Sequence, residues 1–277
     1  MEKQYYYAYS QYLKDKYGEK VYKLPVNLPV TCPNKKDGKG CLFCAEAGTG
    51  FEASDSSVSV FEQLAASRTK VEKRYHAHKF IAYFQNYTNT FLPLDRLLGY
   101  MEEASKVEDI VEISISTRPD CIRQDYLEAF YEFSSRTGIE VSIELGLQTV
   151  NYHTLMEMNR GHGLAEFIDA VLRIAPYHFP VCVHMILNLP GDTMDDAEES
   201  ARILSTLPIS MVKLHSLYIP KKCELYDKYI RGEIEICPKE EYLNRLTEFI
   251  ALLRPDITVE RLFSRIPEKD SAFSNWG

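Results

Sequence analysis

Three cysteines lie within the short segment TCPNKKDGKGCLFC (31–44). Cys32, Cys41 and Cys44 have the spacing C-x8-C-x2-C, and the residues between them are polar, interrupted by glycine and rich in lysine. Thiolates bind zinc and iron–sulfur clusters, and a close pair of thiols can also cycle between dithiol and disulfide. The spacing therefore indicates metal or redox chemistry on one loop.

The three cysteines admit four interpretations. Free cysteines are often buried as small hydrophobic residues, which suits a polar loop poorly but suits the remaining ones, Cys121, Cys182, Cys223 and Cys237. A structural zinc site has four ligands, yet the nearest histidine, His76, follows the next predicted helix. A redox pair would leave Cys32 without a role. A [4Fe–4S] cluster on three thiolates would keep one iron open for a substrate, as catalytic metal sites keep one position open.

The rest of the chain alternates between short apolar runs and stretches of helical periodicity. The short runs predict buried parallel strands, at 26–30, 79–84, 110–116, 139–147, 181–189 and 211–218, with a closing edge strand at 257–262. The periodic stretches predict six helices, at 59–75, 94–106, 123–138, 164–177, 193–208 and 238–255. Six β–α units fit a doubly wound sheet or a barrel, and they fall short of the eight units of a full TIM barrel. In both folds ligands bind at the carboxyl ends of the strands, which is where the cysteine loop begins.

Composition and charge describe an ordinary globular chain. Of its 277 residues 45% are hydrophobic, and the net charge of −8 gives no overall positive field for nucleic acid or an anionic membrane. The first residues lack an apolar signal region and instead predict a surface helix. No apolar window is long enough to span a membrane. With seven cysteines and no export signal, we expect reduced thiols, a cytoplasmic location and no membrane partner.

The cysteine trio, with Phe43 just before its last member, resembles the radical S-adenosylmethionine (SAM) superfamily. The resemblance is closest to a bacterial family related to the catalytic subunit of the Elongator complex, and it covers about residues 5 to 261. It rests on motifs in the same order, each at a predicted strand end: KLPVNLPVTCPN, YFQNYTNT, STRPD, ELGLQT, NRGH, LNLPGDT and VKLHSLYI. No acetyltransferase domain is recognisable beside them.

The resemblance implies a partial (β/α)6 TIM-like barrel with a [4Fe–4S] cluster on Cys32, Cys41 and Cys44. SAM would chelate the open iron, and one electron from the reduced cluster would release methionine and a 5′-deoxyadenosyl radical that takes a hydrogen atom from the substrate. The barrel would seal this radical from water. A reductase or a flavodoxin-type protein would supply the electron.

Several residues are expected to hold SAM because they match motif positions of the family. Backbone groups of the QNY turn would serve its ammonium group, Arg160 would grip its carboxylate through the guanidinium fork, and Gln148 would contact its ribose. The full expected set is Phe43, Gln85, Asn86, Tyr87, Ser116, Gln148, Arg160, His184 and Asn188. His184 lies in an apolar strand, where a core histidine is an equal alternative, and Asn188 and Asp192 depart from the family's usual glycine and glutamate, which puts the adenine contact in question.

The resemblance points to transfer RNA as the substrate, with side-chain modification at the wobble uridine. We expect four residues on the substrate side: Arg118, Asp120, Lys213 and His215. Basic residues could form a phosphate-facing rim at the barrel mouth: Lys35, Lys36, Lys39, Lys213, His215, Lys221 and Lys222. Alternatively, Arg118 and Asp120 only fix their loop, and the lysines only belong to a solvated surface.

We expect one domain, made of an N-terminal helical extension (1–25), a barrel core (26–261) and a tail (262–277) that is shortened. Two other functions stay open at this point. One is the same radical chemistry on a small metabolite or a protein side chain. The other is a non-catalytic iron–sulfur or zinc module, for which Gln148 and Arg160 would have no purpose.

Overall fold

An eight-stranded parallel sheet forms the centre of the computed structural model, which describes residues 5–36, 38, 40–44, 54–264 and 270–273. The strand order is β1-β9-β7-β6-β5-β4-β3-β2. The strands are β1 (Tyr7–Ala8), β2 (Val21–Val26), β3 (Lys79–Phe84), β4 (Ile110–Thr117), β5 (Glu140–Gln148), β6 (Val181–Ile186), β7 (Met211–His215) and β9 (Thr258–Arg261). A separate antiparallel pair consists of β8 (Ile219–Pro220) and β10 (Ser271–Phe273).

Helices connect successive strands and cover the outer face of the sheet. Their ends follow the sequence signals: Gly138 ends α5 in the left-handed conformation, and Thr193 with Asp196 forms a capping box at the start of α8. The helices are α1 (Tyr9–Tyr17), α2 (Pro33–Lys36), α3 (Val60–Tyr75), α4 (Leu94–Ser105), α5 (Gln124–Thr137), α6 (Tyr152–Glu157), α7 (Leu164–Ile174), α8 (Met194–Thr206), α9 (Glu224–Ile230) and α10 (Lys239–Leu252). The expected partial (β/α)6 barrel is confirmed.

The two ends of the sheet differ from the sequence-based prediction. The strand predicted at 26–30 is β2 at Val21–Val26, so most of it lies within the predicted extension. The sequence VYKLPV is not typical of a buried strand, because it contains a lysine and a proline. In the structure Lys23 points into the barrel, and Pro25 is tolerated because β2 is an edge strand. The segment predicted as the closing edge is β9, and β1 pairs outside it, so β9 is an interior strand.

The N-terminal helix α1 packs against both β2 and β9, the strands near the two edges of the sheet. Leu13 of this helix is buried in a cluster with Val21 and Ile81, and the Tyr17 hydroxyl donates to Glu112 at 2.8 Å. The Lys23 ammonium lies 5.0 Å from the centre of the Tyr9 ring. The predicted N-terminal helix is therefore present, and it closes one end of the barrel interior.

The apolar core lies between the outer face of the sheet and the helices, while the concave face of the sheet carries polar side chains. In β5 the two sets alternate strictly: Val141, Ile143, Leu145 and Leu147 are buried in the core, and the residues between them are polar or glycine. None of the helices in the described part of the chain combines the length and the apolar character needed to cross a membrane. Lys39, together with 265–269 and 274–277 of the predicted tail, lies outside the described residues.

Candidate functional site

The cysteine loop leaves the carboxyl end of β2 and is tied to two distant parts of the chain. The Leu42 amide donates to the carbonyl of Met158 at 3.1 Å, and the Leu225 amide donates to the carbonyl of Leu42 at 2.9 Å. Leu42 is also buried in a second apolar cluster that Met158, Ile219 and Leu225 share. The loop is therefore held between the end of α6 and the start of α9.

Two buried arginines each reach a cysteine sulfur. Arg118 Nη1 lies 3.6 Å from Cys32 Sγ, and Arg160 Nη1 lies 3.2 Å from Cys41 Sγ. Asp120 fixes Arg118 through two hydrogen bonds, of 2.9 and 2.7 Å. Arg118 and Asp120 thus lie against the cysteine loop, and their place on the substrate side stays a prediction.

The surroundings of the thiols affect their ionisation differently. Burial opposes ionisation of Cys32, but hydrogen bonds from Thr88 and Arg118 outweigh burial and lower its pKa. Burial raises the pKa of Cys44, and the nearby sulfurs of Cys41 and Cys32 add to that effect. The thiolate is the metal-binding form of cysteine. The surroundings of Cys32 favour this form, whereas those of Cys44 oppose it in the absence of a bound cation.

A glycine permits the close packing around Cys41. The Asn34 amide donates to the Asn159 carbonyl at 2.7 Å and to Cys41 Sγ at 3.6 Å. Gly161 has φ +69°, and a Cβ there would overlap Asn34 Oδ1 and lie 2.9 Å from Arg118 Nη2. Neither group can retreat without losing its contact with a cysteine.

Replacing Gly161 by alanine is therefore expected to loosen the loop. The left-handed conformation alone costs an alanine about 1–2 kcal/mol, and the overlap with Asn34 adds to this. The matched control is Gly232→Ala, because Gly232 has φ +68° and open space around its Cα. Urea unfolding should show a larger loss of stability for Gly161→Ala than for Gly232→Ala, and iron retention should fall only in Gly161→Ala. Equal losses in the two variants would contradict the close-packing argument.

The turn after β3 contributes the next group of expected site residues. Asn86 is buried, its amide donates to Asn27 Oδ1 at 2.6 Å, and its own Oδ1 has no partner among the described residues. Tyr87 adopts φ 56°, and the Lys35 ammonium lies 5.0 Å from the centre of its ring. The Gln85 amide donates to the carbonyl of Val26 at 3.2 Å, which places this turn beside the start of the cysteine loop.

Phe43, Gln148 and Arg160 meet around Gly146. The Arg160 guanidinium donates to the Gly146 carbonyl at 2.6 Å and lies 5.8 Å from the centre of the Phe43 ring. A Cβ at Gly146 would be 3.0 Å from Gln148 Nε2 and 3.2 Å from Arg160 Nη2. The structure thus brings together three residues that the sequence placed on separate motifs. His162 also contacts the Gly146 carbonyl, at 3.2 Å, and burial followed by the charge of Arg160 lowers the pKa of His162 to about 4.

The barrel interior contains a network centred on Glu144. Its carboxylate accepts from Lys23 at 2.5 Å, from Lys213 at 2.7 Å and from the Tyr83 hydroxyl at 2.9 Å. Burial opposes ionisation of Glu144, but Lys213 and Lys23 outweigh it and hold the pKa of that carboxyl well below its usual range. Ser116 joins the network through its hydroxyl, 3.2 Å from that of Tyr83.

Lys213 does not belong to a phosphate-facing rim, and this part of the expectation is wrong. Its side chain is only 4% exposed, and its ammonium lies 2.7 Å from both Glu144 and Glu260. A lysine with two carboxylate partners inside a barrel is not available to a nucleic acid. Lys213 instead stabilises the interior network.

His184 and His215 extend this network toward the mouth of the barrel. His184 Nε2 is 2.6 Å from Glu144 Oε2, and His184 Nδ1 is 3.2 Å from His215 Nε2. Burial, followed by the charge of Lys213, lowers the pKa of His184; burial, followed by the charge of Arg261, holds the pKa of His215 well below its usual range. Both imidazoles are therefore neutral at pH 7.

Asn188 follows β6 and faces the segment that follows β7. Its Oδ1 accepts from the Leu217 amide at 2.6 Å, while its Nδ2 is buried with no partner among the described residues. Arg160 Nε is likewise buried and unsatisfied. A buried polar atom without a partner costs about 1–3 kcal/mol, so Asn86, Arg160 and Asn188 each carry an atom that a polar ligand would satisfy.

Sequence analysis missed Lys23, Tyr83, Glu144 and Arg261. The signal for Glu144 was present, because Glu140, Ser142, Glu144, Gly146 and Gln148 alternate with the apolar residues of β5. This alternation indicates a strand with one polar face. The prediction of a fully buried strand at 139–147 does not take it into account. For Lys23, Tyr83 and Arg261 no local signal distinguishes a residue of the barrel interior.

The chain matches two family models and several known proteins over most of its length. The family model described as "Radical SAM superfamily" matches residues 26–204, and "Radical_SAM C-terminal domain" matches residues 209–277. The uncharacterized protein MJ0486 of Methanocaldococcus jannaschii is 31% identical over 270 residues, which are 97% of this chain and 83% of that protein. A tRNA uridine(34) acetyltransferase of the same organism is 23% identical over 224 residues, 76% of this chain and 40% of that protein.

One solved structure has the same fold over most of the chain. It is the archaeal Elp3 of Methanocaldococcus infernus with an N-terminal deletion, with a TM-score of 0.69 and 17% sequence identity. The match covers 91% of this chain and 59% of that chain. The present chain therefore corresponds to little more than half of the Elp3 chain.

Proposed function

Because the chain belongs to the radical SAM superfamily, we propose that it is an enzyme that binds a [4Fe–4S] cluster on Cys32, Cys41 and Cys44 and cleaves SAM. One observation carries the proposal: the three-cysteine loop lies against the buried Arg160, whose Nε has no hydrogen-bond partner among the described residues. The donor set fits a cluster, since iron–sulfur clusters are held by thiolates and tuned by hydrogen bonds to sulfur. When bound and reduced, such a cluster would supply the one electron needed to cleave SAM to methionine and a 5′-deoxyadenosyl radical, with the three cysteines as its ligands.

The residues around the loop also fit SAM. The guanidinium of Arg160 suits a carboxylate, and its Nε is a donor without a partner among the described residues. Asn86 Oδ1 offers an acceptor for an ammonium group, and Asn188 Nδ2 offers a donor for an adenine nitrogen. Gln148 lies next to Arg160 and, with Ser116, would contact the ribose. Both ring nitrogens of His184 are already engaged, so His184 is left out of the proposed SAM contacts.

For the substrate we propose a transfer RNA, modified on the side chain of its wobble uridine. The support is the similarity to a protein named for uridine 34 of tRNA and to Elp3. With Lys213 excluded from the rim, the described lysines that favour it are Lys35 and Lys36 beside the cysteine loop and the exposed Lys221 and Lys222 after β8. A cytoplasmic reductase or a flavodoxin-type protein would deliver the electron.

The test begins with anaerobic reconstitution. Protein reduced with dithionite is expected to convert SAM to methionine and 5′-deoxyadenosine, measured by chromatography. Arg160→Gln should lower this activity by about tenfold or more, the effect of losing one charge-assisted hydrogen bond. Zinc in place of iron, or SAM left intact, would favour a non-catalytic module.

The substrate is tested by mass spectrometry of tRNA nucleosides from cells with and without the gene. Loss of one modified wobble uridine, restored by the wild-type gene and not by a Cys41→Ser gene, is the expected result. An unchanged nucleoside profile, with SAM cleavage intact, would point instead to a small metabolite or a protein side chain.

A further inference from the structure

An irregularity in the sheet redirects one arginine into the mouth of the barrel. The register of β7 against β9 pairs Val212 with Val259 but Lys213 with Arg261, so β9 contains one extra residue at this point. Glu260 and Arg261 are consecutive, yet both reach interior side chains: Glu260 contacts Lys213, and Arg261 contacts His215. Bulges of this kind re-aim side chains and are frequent next to active sites.

The interior network fixes how Arg261 is held. Because the ionised Glu144 can only accept a hydrogen bond, His184 donates to it from Nε2. His184 Nδ1 must then accept from His215 Nε2, which leaves His215 Nδ1 as an acceptor. Arg261 Nη2 lies 2.7 Å from that nitrogen and 3.2 Å from His215 Nε2, so the guanidinium lies against the imidazole ring. Each hydrogen bond thus orients the next one, from the buried carboxylate outward to the exposed guanidinium.

Arg261 has no opposing charge in the part of the chain that the structure describes. No described carboxylate forms an ion pair with Arg261 within 4.0 Å, whereas Lys23 and Lys213 each have two carboxylate partners. The charges of Arg261 and of Cys44 both act on the hydroxyl of Tyr218, so this guanidinium lies on the side of the barrel that carries the cysteine loop.

We propose that Arg261, held by His215, binds an anionic oxygen group of the substrate, either a carboxylate or a phosphate, at the mouth of the barrel. A guanidinium presents several donors in a rigid fork that matches both groups. Arg261 Nη2 contacts His215, and no described carboxylate lies within 4.0 Å of the guanidinium. The inference rests on the proposed function, since it takes the mouth of the barrel as the place where the substrate meets SAM.

The anaerobically reconstituted full chain can be titrated with two probes, inorganic phosphate followed by phosphorus NMR and labelled acetate followed by carbon NMR. The NMR signal of at least one probe is expected to broaden in a saturable way. The probe that binds with the higher affinity indicates whether the substrate group is a phosphate or a carboxylate. In Arg261→Gln the affinity should fall by about tenfold, the effect of losing a charge-assisted contact. His215→Phe keeps the arginine and removes its acceptor, so a smaller loss of affinity is expected. Arg202→Gln is the matched control, because Arg202 is an exposed arginine on α8 that pairs with Glu198.

Two results would overturn the inference: neither probe binds saturably, or Arg261→Gln binds both probes as tightly as Arg202→Gln does. Circular dichroism of each variant shows whether it is folded, and the titration of His215→Phe gives an independent result if Arg261→Gln is not. The radical SAM proposal is tested separately, by measuring the formation of 5′-deoxyadenosine by the wild-type protein. Either proposal can therefore fail without the other.

Discussion

Serine in place of Cys41 is expected to abolish binding of the cluster and, with it, cleavage of SAM. A serine hydroxyl does not ionise at neutral pH and is a hard ligand, whereas iron–sulfur clusters are held by soft thiolates. Cys41 is also the thiol that Arg160 contacts at 3.2 Å, so the same change removes the anchor of that arginine. Iron and sulfide per chain, measured after anaerobic reconstitution and desalting, should fall to background, and 5′-deoxyadenosine should not form.

The matched control is Cys237→Ser. Cys237 is partly buried beside the apolar core, and no described contact links it to the cysteine loop. This variant should keep the iron content and activity of the wild type. If Cys41→Ser retained as much iron as Cys237→Ser, the cluster would have to be held by other residues.

Truncation of Glu144 is expected to cause the largest loss of stability of any single change in the barrel interior. Removing one partner from a buried charge network costs about 3–5 kcal/mol, and Glu144→Ala would leave Lys23 and Lys213 to share Glu260 alone. It would also remove the acceptor of Tyr83 and His184. The free energy of unfolding, measured by urea denaturation monitored by circular dichroism, should fall by that amount.

Glu140→Ala on the same strand is the control for this experiment. The side chain of Glu140 is 32% exposed and pairs with Lys16, and partly exposed ion pairs contribute about 1 kcal/mol or less. Its loss should therefore be several-fold smaller. Similar losses for the two variants would mean that solvent reaches the interior network and screens it.

Sequence patterns predicted the barrel well because each β–α unit carries its own signals. The strand at Lys79–Phe84 lies where its apolar run is, and α5 ends at Gly138 as a C-terminal cap requires. The cysteine loop could also be placed correctly, since the carboxyl ends of parallel strands share one edge of the sheet. The division into an extension, a core and a tail stays a prediction, with its first boundary displaced by β2.

Contacts between distant residues could not be predicted in the same way. Arg118 reaches Cys32 across 86 residues, and Lys213 reaches Glu144 across 69. Whether a lysine on a strand lies at the rim or inside the barrel depends on the register of that strand against its neighbours. The local sequence does not specify this register. Arg261 illustrates the limit most clearly, because its direction depends on a single extra residue in β9.

The position of Leu42 between two backbone hydrogen bonds has a consequence for how the thiols are protected. Its carbonyl is bound by the amide of Leu225 and its amide by the carbonyl of Met158, so the loop cannot swing out while α9 stays in place. Local opening in proteins occurs in cooperative units. Exposure of the buried sulfur of Cys41 is therefore governed by excursions of the segment around α9, nearly two hundred residues further along the chain.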